Sequence, residues 1–382
     1  MGLKAIGEYV EKSKVTQFLR RALSSYYFPL VTACVTVVSY CFGLEIIGIW
    51  YIGICATAVL ICCKDITPLL SLFLALQIFI SIKHSSSTYI TAAGSRYMYS
   101  TAVLAQEIIC IVMFAIPLIA RTVLGVVKGR FKITPMFWGI ALLAFVLLYN
   151  GLFYTHYSIK SFLYGCSLGA VLVGVFVFSS GNLVIDGKTF VRISLYMLAF
   201  FGTLVVQMIF AYSTIDGLIV NGTVNRYYLF MGWGTYNNLG MHLTVCIPAW
   251  FYLASRTKFG WAYLLGALAN VVACFLSMSR QAMIMSLVIA LACCVWIIVI
   301  SKGKQRIINA CVIGGVVVVT AIICGAMHAK LSAFFTSVIE GFKTGSGRIE
   351  LWKTSLNNFL KKPLFGVGFF DPTAAYKDVG YS

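Results

Sequence analysis

Apolar runs of roughly fifteen to twenty residues, broken by short polar or basic stretches, recur from residue 26 to residue 326. A helix rises about 1.5 Å per residue, so about 20 mainly apolar residues match a hydrocarbon core of roughly 30 Å. The pattern predicts eleven spans, near 26–42, 46–63, 67–82, 101–119, 135–150, 162–180, 193–213, 237–255, 260–277, 281–300 and 308–326. Lipid offers no partner to backbone amides, so a helix must satisfy its own. The expected fold is therefore all-α, a polytopic transmembrane helix bundle. The third run is short and the first three are closely joined, which leaves open that one of them is re-entrant. Losing one crossing would invert every later loop.

The flanks follow other rules. Residues 1–25 place Lys4, Lys12, Lys14, Arg20 and Arg21 among Leu3, Ile6, Val10, Phe18 and Leu19, the pattern of an amphipathic helix in the interface. No short apolar core followed by small residues precedes the first span, so a cleaved signal peptide is not expected. After the last span the chain turns polar. There Ile349, Trp352, Leu356, Phe359 and Leu360 repeat at helical spacing, and Lys361, Lys362 and Pro363 supply a basic last turn and a stop. Three regions result: an amphipathic segment (1–25), the helix bundle (26–326) and an extracytoplasmic segment (327–382) with a second amphipathic helix.

Composition strengthens this picture. With 60% hydrophobic and 10% charged residues, the chain lies far from the roughly 25% charged expected of a soluble domain. The net charge of +18 invites a nucleic-acid partner, but the basic residues sit between apolar runs and form no stripe with aromatics, so none is expected. They report topology instead. Loops on the N-terminal side of the membrane hold seventeen Lys and Arg against five in the short loops opposite. Because cytoplasmic loops collect Lys and Arg, the N-terminus is placed in the cytoplasm. All 13 cysteines fall inside spans with no CxxC spacing, and no metal-ligand cluster is apparent, so neither metal nor cofactor is expected.

Two arginines oppose the charge rule in outer segments. Arg280 lies in Leu276-Ser277-Met278-Ser279-Arg280-Gln281, where the ninth span turns into the tenth. With Ser279 as N-cap, free amides, the positive helix end and a guanidinium would converge on an anion. The alternative is an arginine reaching for lipid headgroups. Arg348, in Gly345-Ser346-Gly347-Arg348, repeats the arrangement at the start of the second amphipathic helix. A third arginine, Arg226, lies in the outer loop 214–236, ahead of Gly234-Thr235-Tyr236-Asn237-Asn238. Asn237 and Asn238 offer amide groups to a polar ligand or simply cap a helix. Glu107 sits inside the fourth span and needs a partner there. His242 and His328 are isolated, and Gly366-Val367-Gly368 reads as a turn, with no strand before it as a dinucleotide fingerprint requires.

Taken in order, Arg226 with the Gly234-Thr235-Tyr236-Asn237-Asn238 entrance, the Ser279-Arg280-Gln281-Ala282 turn, and the Gly347-Arg348 to Trp352 helix ending in Pro363-Leu364-Phe365-Gly366-Val367-Gly368 resemble the O-antigen ligase and O-antigen polymerase superfamily of bacterial surface polysaccharide assembly. The match runs from about 220 to 370; earlier residues share only hydropathy. The resemblance implies a membrane glycosyltransferase that takes glycans from a polyprenyl-diphosphate carrier outside the bacterial cytoplasmic membrane and passes them to a glycan or lipid acceptor. It implies that Arg280, Arg348 and Arg226 bind the diphosphate and that no cofactor is required. Asn237, Asn238 and Glu107 are substrate-binding candidates beside them. Asn237 stands where proline is common, and Gln281 where glycine is common. The family's outer loop runs on to a catalytic histidine and closing spans, expected beyond Ser382, so the chain is expected to be a truncated form.

Two other classes compete with that expectation. A transporter or flippase of an anionic or lipid-linked substrate favours broken helices near the midplane, and a structural subunit needs no convergence of arginines at all.

Overall fold

In the computed structural model, residues 13–42, 44–80, 101–129, 133–152, 159–183, 186–215, 217–220, 223–226, 229, 234–257, 259–326 and 348–361 are described. Thirteen helices account for nearly all of them. They are α1 (Lys14–Leu23), α2 (Phe28–Cys41), α3 (Glu45–Cys62), α4 (Pro68–Ile80), α5 (Thr101–Val127), α6 (Pro135–Leu152), α7 (Ile159–Asn182), α8 (Gly187–Thr214), α9 (Tyr236–Arg256), α10 (Gly260–Leu276), α11 (Arg280–Ile300), α12 (Gly303–Ala326) and α13 (Arg348–Lys361). Between α8 and α9 lies a two-stranded antiparallel hairpin, β1 (Ile219–Val220) and β2 (Thr223–Val224).

Each of the eleven apolar runs coincides with one helix, α2 to α12, because an apolar stretch in lipid has no cheaper way to pair its amides. The protein is an all-α polytopic membrane protein. Among the described residues, the windows Ile108–Val127, Gly165–Asn182, Gly187–Ser213 and Arg280–Ile300 are long and apolar enough to cross a membrane by themselves. The α1–α2 pair, bent by 77°, would make a fifth crossing if it is one span. That bend separates a strongly amphipathic α1 from the apolar α2. Arg20 Nε of α1 donates to the Cys62 carbonyl at the end of α3, 2.8 Å away.

The helices gather in two compact units, whereas the hydropathy pattern anticipated one bundle. One holds residues 1–120 and 183–322, the other 121–182 and 323–382. In the second, α6 and α7 pack closely as a pair, and a Cβ at Gly169 would meet the Ala144 carbonyl at 3.1 Å. Also in that unit, Arg121 Nε donates to Asn182 Oδ1 at 2.7 Å.

The core of the first unit is built on α9, which packs against α8, α10 and α11. Leu239, Leu243, Cys246 and Ile247 of α9 are wholly buried, together with Leu204 and Ala211 of α8 and Cys274 of α10. In this packing Gly266 meets the Trp250 indole so closely that a Cβ there would overlap it. By contrast α11 buries little beyond Ala282, Met283, Ser286 and Ile297, leaving Leu291, Val295 and Val299 outward as lipid-facing side chains.

Polar contacts mark the two ends of this unit. At one end, Asp65 accepts from Thr67 N–H at 3.0 Å, ahead of α4, and its other oxygen meets Arg192 Nη1 of α8 at 3.0 Å. Asp186 closes a capping box on α8, accepting from Thr189 N–H at 2.6 Å. At the opposite end of α8, the Tyr212 hydroxyl donates to the Leu276 carbonyl of α10 at 2.6 Å.

Candidate functional site

The Tyr212 end of the first unit collects the polar residues. α9 and α11 both begin there, so two positive helix ends lie side by side, and neither first turn contains an acidic residue to offset them. The packing that brings them together requires glycine. A Cβ on Gly240 would stand 2.5 Å from Ala282 Cβ and 2.7 Å from Ser279 Cβ, so the two helices meet with no side chain between them.

The α10–α11 connection is only Ser277-Met278-Ser279, too short to reverse a chain without an unusual backbone. Met278 supplies it, with φ at 58°, the left-handed region that costs a residue with a side chain about 1–2 kcal/mol. Hydrogen bonds hold the turn in place. Ser279 N–H donates to Ser277 Oγ at 3.3 Å, and Ser277 Oγ donates to the Cys274 carbonyl at 2.7 Å. Both serines are buried.

Ser279 occupies the N-cap position of α11, as expected, but its side chain makes no capping bond. Its hydroxyl donates instead to Asn237 Oδ1 on α9, 3.1 Å away. The expected cap is thus corrected: the neighbouring helix outcompetes the local amides for that hydroxyl. Asn237 is likewise not a cap, since α9 is capped by Thr235, whose hydroxyl accepts from Asn238 N–H at 3.5 Å. Asn238 itself is exposed.

Arg280 is therefore the first residue of α11, half-buried, beside amides that no side chain caps. Among the described residues its guanidinium has no hydrogen-bond or ion-pair partner. The Arg226 guanidinium lies over the Tyr236 ring, 5.2 Å from the centroid, adjacent to Asn237. The first unit thus brings Arg226, Asn237, Asn238 and Arg280 to one end of the bundle. An end with two guanidinium groups, two helix N-termini and no first-turn acid is suited to an anion.

The described residues do not place the other expected site residues at this end. α13 begins at Arg348, but the side chain of Arg348 lies outside the described residues, as does that of Glu107 in α5; His328 and Gly366-Val367-Gly368 lie outside them altogether. α13 belongs to the second unit, where Trp352, Leu356, Phe359 and Leu360 are exposed. His242, half-buried on α9, packs edge-on to Phe200 with ring centroids 5.4 Å apart, a core contact with no metal-ligand geometry. The sequence reading gave no role of their own to Gly240, Ser277, Met278 and Tyr236. Only Gly240, a poor helix former near the start of an apolar run, carried a visible signal.

Residues 264–381 match the family model described as O-antigen ligase. That stretch contains most of α10, the strained turn, Arg280, α11, α12 and α13. No curated protein and no solved structure matches the chain.

Proposed function

From the premise that the chain belongs to the O-antigen ligase and polymerase superfamily through its domain at 264–381, we propose that it transfers or polymerises glycans from a polyprenyl-diphosphate carrier outside the cytoplasmic membrane of a bacterium. The family by itself points to glycan assembly in a membrane. The finer reading is carried by one observation: Arg280, with a half-buried guanidinium and uncapped amides around it, shares an end of the bundle with Arg226.

The proposed reaction is attack of an acceptor hydroxyl on the anomeric carbon of the carrier-linked sugar. The new bond joins the acceptor oxygen to that carbon, the bond to the diphosphate oxygen breaks, and the hydroxyl's proton is released to water. Negative charge then grows on the leaving diphosphate. Arginines fixed before the reaction stabilise that growing charge without reorganisation. Arg280 is assigned this role, with Arg226 beside it; for Arg348 the same role rests on the family resemblance alone. Asn238, exposed one residue beyond Asn237, is assigned to the sugar, and Glu107 remains a candidate for the same substrate.

Orientation follows the charge count. α1, the Cys62–Asp65 stretch and Arg192 share one end, assigned to the cytoplasm, and the Arg226–Arg280 end faces outward. Residues 1–25 then lie along the inner interface, and 327–382 lie outside.

The test is reconstitution of the protein in vesicles with a polyprenyl-diphosphate-linked glycan and an acceptor, following release of free polyprenyl diphosphate. Release that requires both acceptor and Arg280 supports the reading. Movement of intact lipid-linked glycan between leaflets, with no bond broken, would replace it with a flippase.

A further inference from the structure

Asn237 is a substrate-binding candidate by sequence, yet its carboxamide oxygen is engaged within the protein, accepting from Ser279 Oγ at 3.1 Å. That bond joins the second residue of α9 to the residue immediately before Arg280. Other features restrain the turn as well. Gly240 lets α9 close onto Ser277, Ser279 and Ala282, Ser277 Oγ accepts from Ser279 N–H, and Met278 is held at a φ of 58°. Among the described residues, the Asn237 bond is the side-chain hydrogen bond that ties Ser279, where α11 begins, to α9. A serine at this position would ordinarily spend its hydroxyl on its own helix's amides. Here it is drawn across to another helix, although the Ser279 backbone, at φ −86° and ψ 110°, keeps the extended conformation of an N-cap.

We infer that Asn237 is a positioning residue for Arg280: by holding Ser279 it fixes where α11 starts, and so the direction in which Arg280 leaves the backbone. The inference rests on the reading that Arg280 grips a diphosphate. It changes the role of Asn237 from a contact with substrate to a constraint on the residue that makes the contact. An error of about 1 Å in the placement of such a group costs up to about a hundredfold.

The experiment measures binding of farnesyl diphosphate to the purified full chain in detergent by calorimetry, with farnesol as the uncharged control. Replacing either end of the bond, N237A or S279A, is expected to weaken farnesyl diphosphate by about tenfold. The double variant should be no weaker than either single, since one bond is lost in all three. Farnesol binding should not change. In an R280A background neither substitution should weaken binding further, because Asn237 acts through that arginine; a purely structural defect would add. If N237A fails to fold, S279A interrogates the same bond from its other end.

Parent-like affinity of N237A and S279A beside a weakened R280A would overturn the positioning role and leave the diphosphate site standing. A further loss on adding N237A to R280A would make Asn237 a direct ligand and likewise overturn it. Parent-like affinity of R280A would remove the site, and the inference with it.

Discussion

At the scale of single residues, Arg280 carries the chemistry. Its replacement by Ala removes a charge-assisted, partly desolvated contact worth about 1.5–3 kcal/mol, so turnover in the vesicle assay should fall roughly 10–150-fold. Lysine at 280 keeps the charge and loses the planar fork, and should restore only part of that rate. The strained neighbour offers a test that leaves charge untouched. Met278 holds φ at 58°, a conformation glycine adopts freely, so M278G should raise stability by roughly 0.5–1 kcal/mol after the entropic cost of glycine, read as a higher melting temperature in detergent. An unchanged or lower melting temperature would show that the turn stores no such strain.

At the scale of elements, the crossing of α9 and α11 sets where Arg280 can be. In G240A the new methyl would sit 2.5 Å from Ala282 Cβ, and forcing the helices apart should destabilise the protein by about 1–3 kcal/mol. Adding A282G should recover part of that loss; no recovery would place the strain elsewhere. The start of α8 depends on pH. The Thr189 hydroxyl and then its backbone amide, both donating to Asp186, hold that carboxyl below its ordinary value near 3.8. A depressed carboxylate contributes stability that is fully present above its unfolded value and is lost as pH falls through its folded one. Hydrogen exchange of the first turn of α8, compared with D186N at each pH, should therefore show the parent's advantage at neutral pH vanish in acid. A pH-independent difference would refute the role of the charge.

At the scale of the whole molecule, the two ends of the first unit are assigned to opposite sides of the membrane. Ile219 of β1 is exposed beside the Arg226 end, and exposed Lys302 lies in the connection between α11 and α12. An impermeant thiol reagent added outside intact cells should label I219C and leave K302C unlabelled against the parent background. Labelling of K302C alone would invert the topology, which one re-entrant helix among α2 to α4 would explain.

Much of this was legible along the chain, for a definite reason. Hydrophobicity in lipid is a local property: a run of apolar residues must form a helix whatever surrounds it, so α2 to α12 could be placed by pattern. Charge on loops is local too, which is why Arg280 and Arg348 stood out as exceptions to the rule for outer segments. The capping of α9 by Thr235 and of α8 by Asp186 is equally local, yet for α9 the sequence pointed to Asn237 and Asn238 instead. What the pattern could not hold was competition between distant groups. Ser279 has the right type and position to cap α11, and only the approach of Asn237, made possible by the missing side chain at Gly240, takes its hydroxyl away. The left-handed Met278 has no sequence signature, since methionine has no preference for that backbone; the shortness of the turn imposes it. Hydropathy likewise ranks every apolar helix alike, so it could not tell the buried α9 from the lipid-facing α11, nor separate the α6–α7 pair into a unit of its own. Which residues bear charge was decided along the chain; which way they point was decided by how the helices pack, because direction depends on neighbours far away in sequence.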